Sequence, residues 1–367
     1  MGFGKRYERN MSTEKNPPTS CHHIGHGPRA TPFRWEGLDL LAIENECVRI
    51  VIWPEHGADL LEFRDKASDI DVLWKNAQCW PPRLRALDQP QLGRSEFYDI
   101  FHGGWFVSLP NGFFPGDYYG APIGCHGEFL AVPWKAEVLE QTEERVLVRL
   151  TGSGVRTPWI VTREMELRAG EPFVRWSERL TNRSASRLPA AWLHHPGFGG
   201  PLIEGAEIVT SARTMLTPPS DRPELGQLQS SYRGEWPRVP EQSGAMRDCS
   251  FVPEKGSASE HVVHLTDFPT GWGCVWNEAR QLGFGIRWDE RVFPYAWSWA
   301  SGRSGDTYPV WGSCHTVTIQ PSTSPMLPFE RLLETDQLLW VEGKGSVETA
   351  MTAGFISGRD QMLELSL

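Results

Sequence analysis

The sequence predicts an all-β protein, a large antiparallel β-sandwich with few short helices. Three observations carry that expectation. Short apolar runs alternate with polar residues at period two, as in "KAEVLEQTEERVLVRLTGSG" and "WIVTREMELRAGEPFVRWSERLTNRS". The 36 glycines and 29 prolines break the chain into segments of strand length. Apolar spacing at the helical period is scarce, and aromatic residues, which suit pleated surfaces, make up 11% of the chain.

Taken in order, residues 1–30 are polar, carry Pro17, Pro18 and Pro28, and show no periodicity, so they read as a flexible tail. His22, His23 and His26 fall in this tail at irregular spacing, and an incidental cluster is the plainer reading of them. Residues 31–367 read as a single domain, with hairpins in succession from about residue 37, beginning "LDLLAIENECVRIVIWPEHG" and "ADLLEFRDKASDIDVLW". Two stretches rich in Pro, Gly, Arg and aromatics, 80–125 and 215–260, read as long functional loops. The best helix is 328–338, "PFERLLETDQL", with proline at its start.

Composition removes several function classes. A formal charge of −10 gives no net attraction for nucleic acid or an anionic membrane. The sequence has no apolar run of the roughly 18 residues a membrane helix needs, and its first thirty residues lack the apolar stretch of a secretory signal. Seven cysteines without a CxxC pair fit reduced thiols, so a cytoplasmic protein is expected.

Four stretches hold side chains suited to chemistry. In "AAWLHHPGFGG", His194 and His195 stand at the end of a predicted strand that stops at Pro196, and adjacent strand residues point to opposite faces. Only one of the two can face a given pocket. In "YYGAPIGCHGEF", alternation places His126 and Glu128 on one face, suited to acid/base work, to holding a metal, or to a structural salt bridge. In "FPYAWSWASG", Tyr295, Trp297 and Trp299 share a face, either lining a core or flooring a sugar pocket, since a pyranose stacks on an indole. Arg83, Arg85 and Arg94 lie in the first long loop, where they either meet an acidic substrate or form a solvated surface.

The serial order of "HGADLLEFRDKASDIDVLW", "HGE", "GEPFVRWSERLTNRS…HHPGFG", "FPYAWSWASG", "VTIQPSTSP" and "LLWVEGKGSVETAMTAGF" resembles the galactose mutarotase (aldose 1-epimerase) superfamily, as a divergent branch. The resemblance implies a supersandwich whose concave face binds a monosaccharide or sugar derivative, with His-mediated acid/base exchange of anomers and no cofactor. It places the proton donor on His195 and a sugar-contacting histidine on His126. It puts Gln320 where the superfamily has a catalytic glutamate, and an amide cannot take a hydroxyl proton. Glu128 or Asp99 would then substitute, with Gln320, Trp297, Trp299, Arg94, Asp99 and His194 as substrate contacts. The alternatives are a divalent metal ion on His126, Glu128, His194 and His195, serving a sugar lyase, isomerase or glycoside-cleaving enzyme, or a sugar-binding protein without catalysis.

Overall fold

The structure is a computed structural model that describes residues 27–82, 94–219, 227–303, 305–306 and 308–361. The tail histidines and Arg83 and Arg85 lie outside these residues. No helix among the described residues is long and apolar enough to cross a membrane.

The alternation read from the sequence becomes two large sheets. Trp159–Arg168 shows the cause most plainly, because Trp159, Val161, Arg163, Met165 and Leu167 are buried in strict alternation with more exposed neighbours. Among the described residues, eight strands form one sheet in the order Glu207–Thr210, Trp272–Asn277, Leu282–Trp288, Ser346–Ile356, Phe173–Asn182, Trp159–Arg168, Arg145–Ser153 and Trp134–Gln141. A thirteen-stranded sheet runs Arg29–Trp35, Leu38–Glu44, Val48–Trp53, Asp59–Asp65, Trp105–Ser108, Leu193–Phe198, Thr316–Thr318, Tyr295–Ser301, Glu260–Thr266, Thr214–Leu216 and Arg233–Glu235. Gln320–Ser322 and Ile70–Asp71 pair off this path. The ladders are antiparallel.

Facing sides of the two sheets pack into the main core, with Trp105 against Trp176 at 5.2 Å and Phe63 against Phe284 at 4.8 Å between ring centroids. The far side of the larger sheet carries a second apolar layer. Phe106, Leu193, Val262 and Trp297 rise from its strands, and the helix Arg94–Ile100 and the segments around Phe113, Leu130 and Val310 cover them. That covered face positions the candidate site. On the exposed face of the smaller sheet, charges pair with one another, as in Arg149 with Glu164 and Arg145 with both Glu140 and Glu166.

Several expectations need correction. The ladder begins at Arg29, inside the expected tail, because Arg29–Trp35 zips along Leu38–Glu44. The strand holding both histidines runs through Pro196 to Phe198, since Pro196 pairs with Trp105 and Gly197 passes to Thr318. A helix, Arg94–Ile100, forms inside the first long loop, while the expected late helix is shorter, Phe329–Glu334, with Pro328 before it.

Candidate functional site

Strand register alone brings the first two components together. Leu193 pairs with Ser322 and Gly197 with Thr318, so His195 stands across from Gln320. Gln320 in turn pairs with Trp297, and Trp297 with His264. Paired residues share a face. His195, Gln320, Trp297 and His264 therefore line up across four neighbouring strands, with Phe106 on the other side of His195.

His126 arrives from outside the sheet. It sits in a turn at φ +60°, not on a strand, and its amide donates to the Gly112 carbonyl at 2.9 Å. Gly127, at φ +77°, fixes this turn; a Cβ there would lie 2.0 Å from the Leu109 carbonyl oxygen, so glycine is required. The turn sets the His126 ring perpendicular to that of His195, with centroids 5.1 Å apart. Nδ1 of His126 is 2.7 Å from the Ser108 hydroxyl, and Phe106 stacks on His195 at 4.4 Å.

Both rings are buried, His126 at 3% and His195 at 7% exposure. Burial lowers the pKa of His195 to about 4, and burial together with the nearby His195 holds His126 well below the ordinary imidazole value. Both are neutral near pH 7. None of His195 Nδ1, Gln320 Oε1 and His264 Nε2 has a hydrogen-bond partner. Buried polar atoms are seldom left without a partner, so three on one face mark a place for polar ligand atoms or water.

Two residues expected here point elsewhere. Glu128 turns away from His126 and accepts from the amides of Val155, Arg156 and Thr157 and from the Thr157 hydroxyl, at 2.5–3.1 Å. Because His126 occupies a turn, the alternation argument fails, and Glu128 is a loop anchor rather than a catalytic group. His194 faces the main core at 0% exposure. The Trp105 indole donates to its Nδ1 at 3.3 Å, so Nε2 carries the proton and donates to Glu178 at 2.7 Å, and Arg163 donates to the other Glu178 oxygen at 2.6 Å. Burial alone would raise the Glu178 carboxyl, but Arg163 and His194 outweigh it and hold the pKa at about 2. His194 is therefore neither a substrate contact nor a metal ligand beside His195, and the set His126, Glu128, His194 and His195 does not converge.

The aromatic residues of "FPYAWSWASG" take their place in the covered layer. Trp297 is buried and donates to the Ser324 carbonyl at 2.7 Å, while the half-buried Trp299 donates to Glu260 at 2.7 Å and meets Trp74 edge-on. Asp99 is exposed on the covering helix, where its carboxylate accepts from the Tyr308 hydroxyl at 3.2 Å. Arg94 opens that helix, and its side chain lies outside the described residues.

The family described as "Domain of unknown function (DUF4432)" matches residues 35–354, most of the chain. The chain belongs to the DUF4432 family. No curated protein matches it in sequence. Among solved structures, a candidate aldose 1-epimerase from Klebsiella pneumoniae is similar with a TM-score of 0.69 at 16% identity, covering 92% of this chain and 85% of that one. A galactose mutarotase-like protein from Clostridium acetobutylicum gives 0.60 at 12% identity, with 90% and 99% covered. A galactose mutarotase related enzyme from Lactobacillus acidophilus gives 0.58 at 13%, with 87% and 98% covered. This DUF4432 member therefore has the galactose mutarotase-like sandwich fold.

Sequence reasoning missed two features around this family member's large sheet. His264 was overlooked because "HVVHLT" shows no strict polar/apolar alternation, and its pairing with Trp297 was not visible without the register. His56, Asp59 and His102 also converge, from "EHGAD" and "FHGGW". Glycine beside each histidine was the available signal.

Proposed function

We propose that this protein binds a monosaccharide or sugar derivative against the His126 and His195 face and interconverts its anomers, as an aldose 1-epimerase-like isomerase. The observation that carries the reading is the perpendicular pair of neutral imidazoles, with the unpartnered polar atoms of His195 and Gln320 on one face of the sheet. The mutarotase-like fold of its neighbours supports it.

The missing glutamate changes the assignment of roles. A neutral His195 is a proton acceptor first. Its unprotonated ring nitrogen takes the proton of the anomeric hydroxyl, and the imidazolium so formed gives the same proton to the ring oxygen as the C1–O5 bond breaks. The carbonyl end rotates, and the ring closes by the reverse transfers, returning the proton to the new anomeric hydroxyl. Gln320 orients that hydroxyl by accepting from or donating to it, and His126, held by Ser108, fixes the ring oxygen's side of the sugar.

The test is anomer exchange on a panel of aldoses, by polarimetry and saturation-transfer NMR. The expected outcome is acceleration that His195→Ala reduces by about 10²–10⁴-fold, the usual range for a general acid/base. kcat/KM is expected to be flat near neutrality and to fall as pH drops through about 4, where His195 of the free protein gains its proton. Sugar binding without acceleration, together with activity appearing only in Gln320→Glu, would show a binding protein instead.

A further inference from the structure

We infer that His56, Asp59 and His102 form a binding site for a divalent first-row transition-metal ion. The inference is independent of the anomerase reading and goes beyond it. Leu60 pairs with Trp105, so Asp59 stands across from Phe106, on the same covered face as His195 but two strands away. At about 4.8 Å per strand, the two sites are roughly 10 Å apart, with the Phe106 ring between them.

Asp59 Oδ2 is 3.0 Å from His56 Nδ1 and 3.4 Å from His102 Nε2. One atom from each residue lies within 4.8 Å of the others. Donors at about 2.0–2.1 Å from a zinc-like ion are separated by about 2.9–3.4 Å along octahedral or tetrahedral edges, which both measured distances match. Two imidazoles and a carboxylate are the borderline donor set that suits zinc, iron(II) or cobalt(II), and three protein ligands leave a position for water or substrate.

The hydrogen bonds around the cluster favour an ion over a self-sufficient polar triad. His102 Nδ1 lies 3.2 Å from the Ile100 carbonyl, which can only accept, so the ring proton belongs on Nδ1 and the Nε2 lone pair faces the carboxylate. That is the outer-shell contact that orients a metal-bound histidine. Two electron-rich atoms then oppose each other at 3.4 Å, and neither His102 Nε2 nor Asp59 Oδ1 has a hydrogen-bond partner. The three residues are 8%, 2% and 3% exposed, and Trp53 stacks on His56 at 4.6 Å, so bulk water does not relieve the opposition. A cation between them does.

The backbone is shaped to bring the ligands in. A Cβ at Gly57, φ +66°, would come within 2.8 Å of Asp59 Oδ1, and one at Gly104, φ +79°, within 2.5 Å of the Leu60 carbonyl oxygen. Larger residues at either place would push His56 or His102 off the carboxylate.

The test uses the full chain without an affinity tag, with His22, His23 and His26 replaced by alanine to remove the tail as a competing binder. After treatment with a chelator, cobalt(II) and zinc(II) are titrated, with metal content, visible absorption and calorimetry as readouts. Expected are a single tight equivalent, the absorption of low-coordinate cobalt(II), and a raised thermal midpoint with zinc. Asp59→Asn and His102→Gln are each expected to weaken binding by at least about tenfold while His264→Gln leaves it intact. Uptake that is absent, or unchanged in both variants, overturns the site. Should either variant fail to fold, X-ray absorption on the zinc-loaded parent decides: a first shell with two imidazoles supports the assignment, and one without them overturns it. Metal content reports on this site whether or not any sugar is turned over, so it can fail without the anomerase reading failing.

Discussion

His194 and His195 show how one residue step separates structure from chemistry. His194 closes a buried chain from Trp105 through Glu178 to Arg163, whereas its neighbour keeps 7% exposure and an unpartnered nitrogen. Replacing Glu178 by glutamine leaves the Arg163 charge buried without its counter-ion, and a loss of about 3–5 kcal/mol is expected from urea denaturation. Anomer exchange per folded molecule is expected to survive that change, because no member of the chain faces the covered layer. Glu128→Gln offers a second separation of roles. The amide keeps one acceptor oxygen but sets an NH2 group against the Val155–Thr157 donors, so about 1–3 kcal/mol should be lost without a specific loss of catalysis. A collapse of kcat in a stable Glu128→Gln protein would restore that carboxylate to the catalytic machinery.

At the scale of elements, the site depends on a strand and a turn of different legibility. The strand Leu193–Phe198 could be read from its alternation, and so could the opposed orientation of its two histidines. The turn at Gly124–Glu128 could not, because a residue at positive φ breaks the period on which alternation rests, and "GCHGEF" reads equally as strand or turn. Gly127→Ala tests the turn. The added Cβ meets the Leu109 carbonyl, so a lower thermal midpoint is expected, together with a loss of activity as large as that of removing the His126 ring. Phe106 belongs to the same scale. Its ring stacks on His195, and Phe106→Ala is expected to cost about 3–5 kcal/mol in stability and to shift the acid limb of the pH profile upward, as water reaches the imidazole. The His56–Asp59–His102 cluster escaped the sequence for a related reason, since the pairing of Leu60 with Trp105 is what brings His102 beside His56 and Asp59.

For the molecule as a whole, buried neutral histidines set the response to acid. Burial lowers His195 and His261 to about 4 and His264 to about 3, from an ordinary 6.5. The unfolded chain accepts these protons near 6.5 and the folded one only at 3–4, so their contribution is complete above 6.5 and declines as pH falls through that window. At roughly pH 5 each such group has withdrawn about 2 kcal/mol. The urea midpoint is therefore expected to drop steeply between neutrality and pH 5, with proton uptake on unfolding measurable by calorimetry in buffers of different ionisation enthalpy. The sandwich class was legible because period-two alternation is local. The order of strands was not, because it is set by which edges meet across the whole chain.

That order has a consequence for how the protein is made. Ser346–Ile356, which follows both of its partner strands along the chain, lies in the middle of its sheet, bonded to Phe173–Asn182 on one side and Leu282–Trp288 on the other. Until it is synthesised, both partners carry bare edges, and the half-built sheet is a template for pairing with other nascent chains. The closing strand is thus a keystone, and a chain that stops before residue 346 should yield aggregate rather than a smaller working protein.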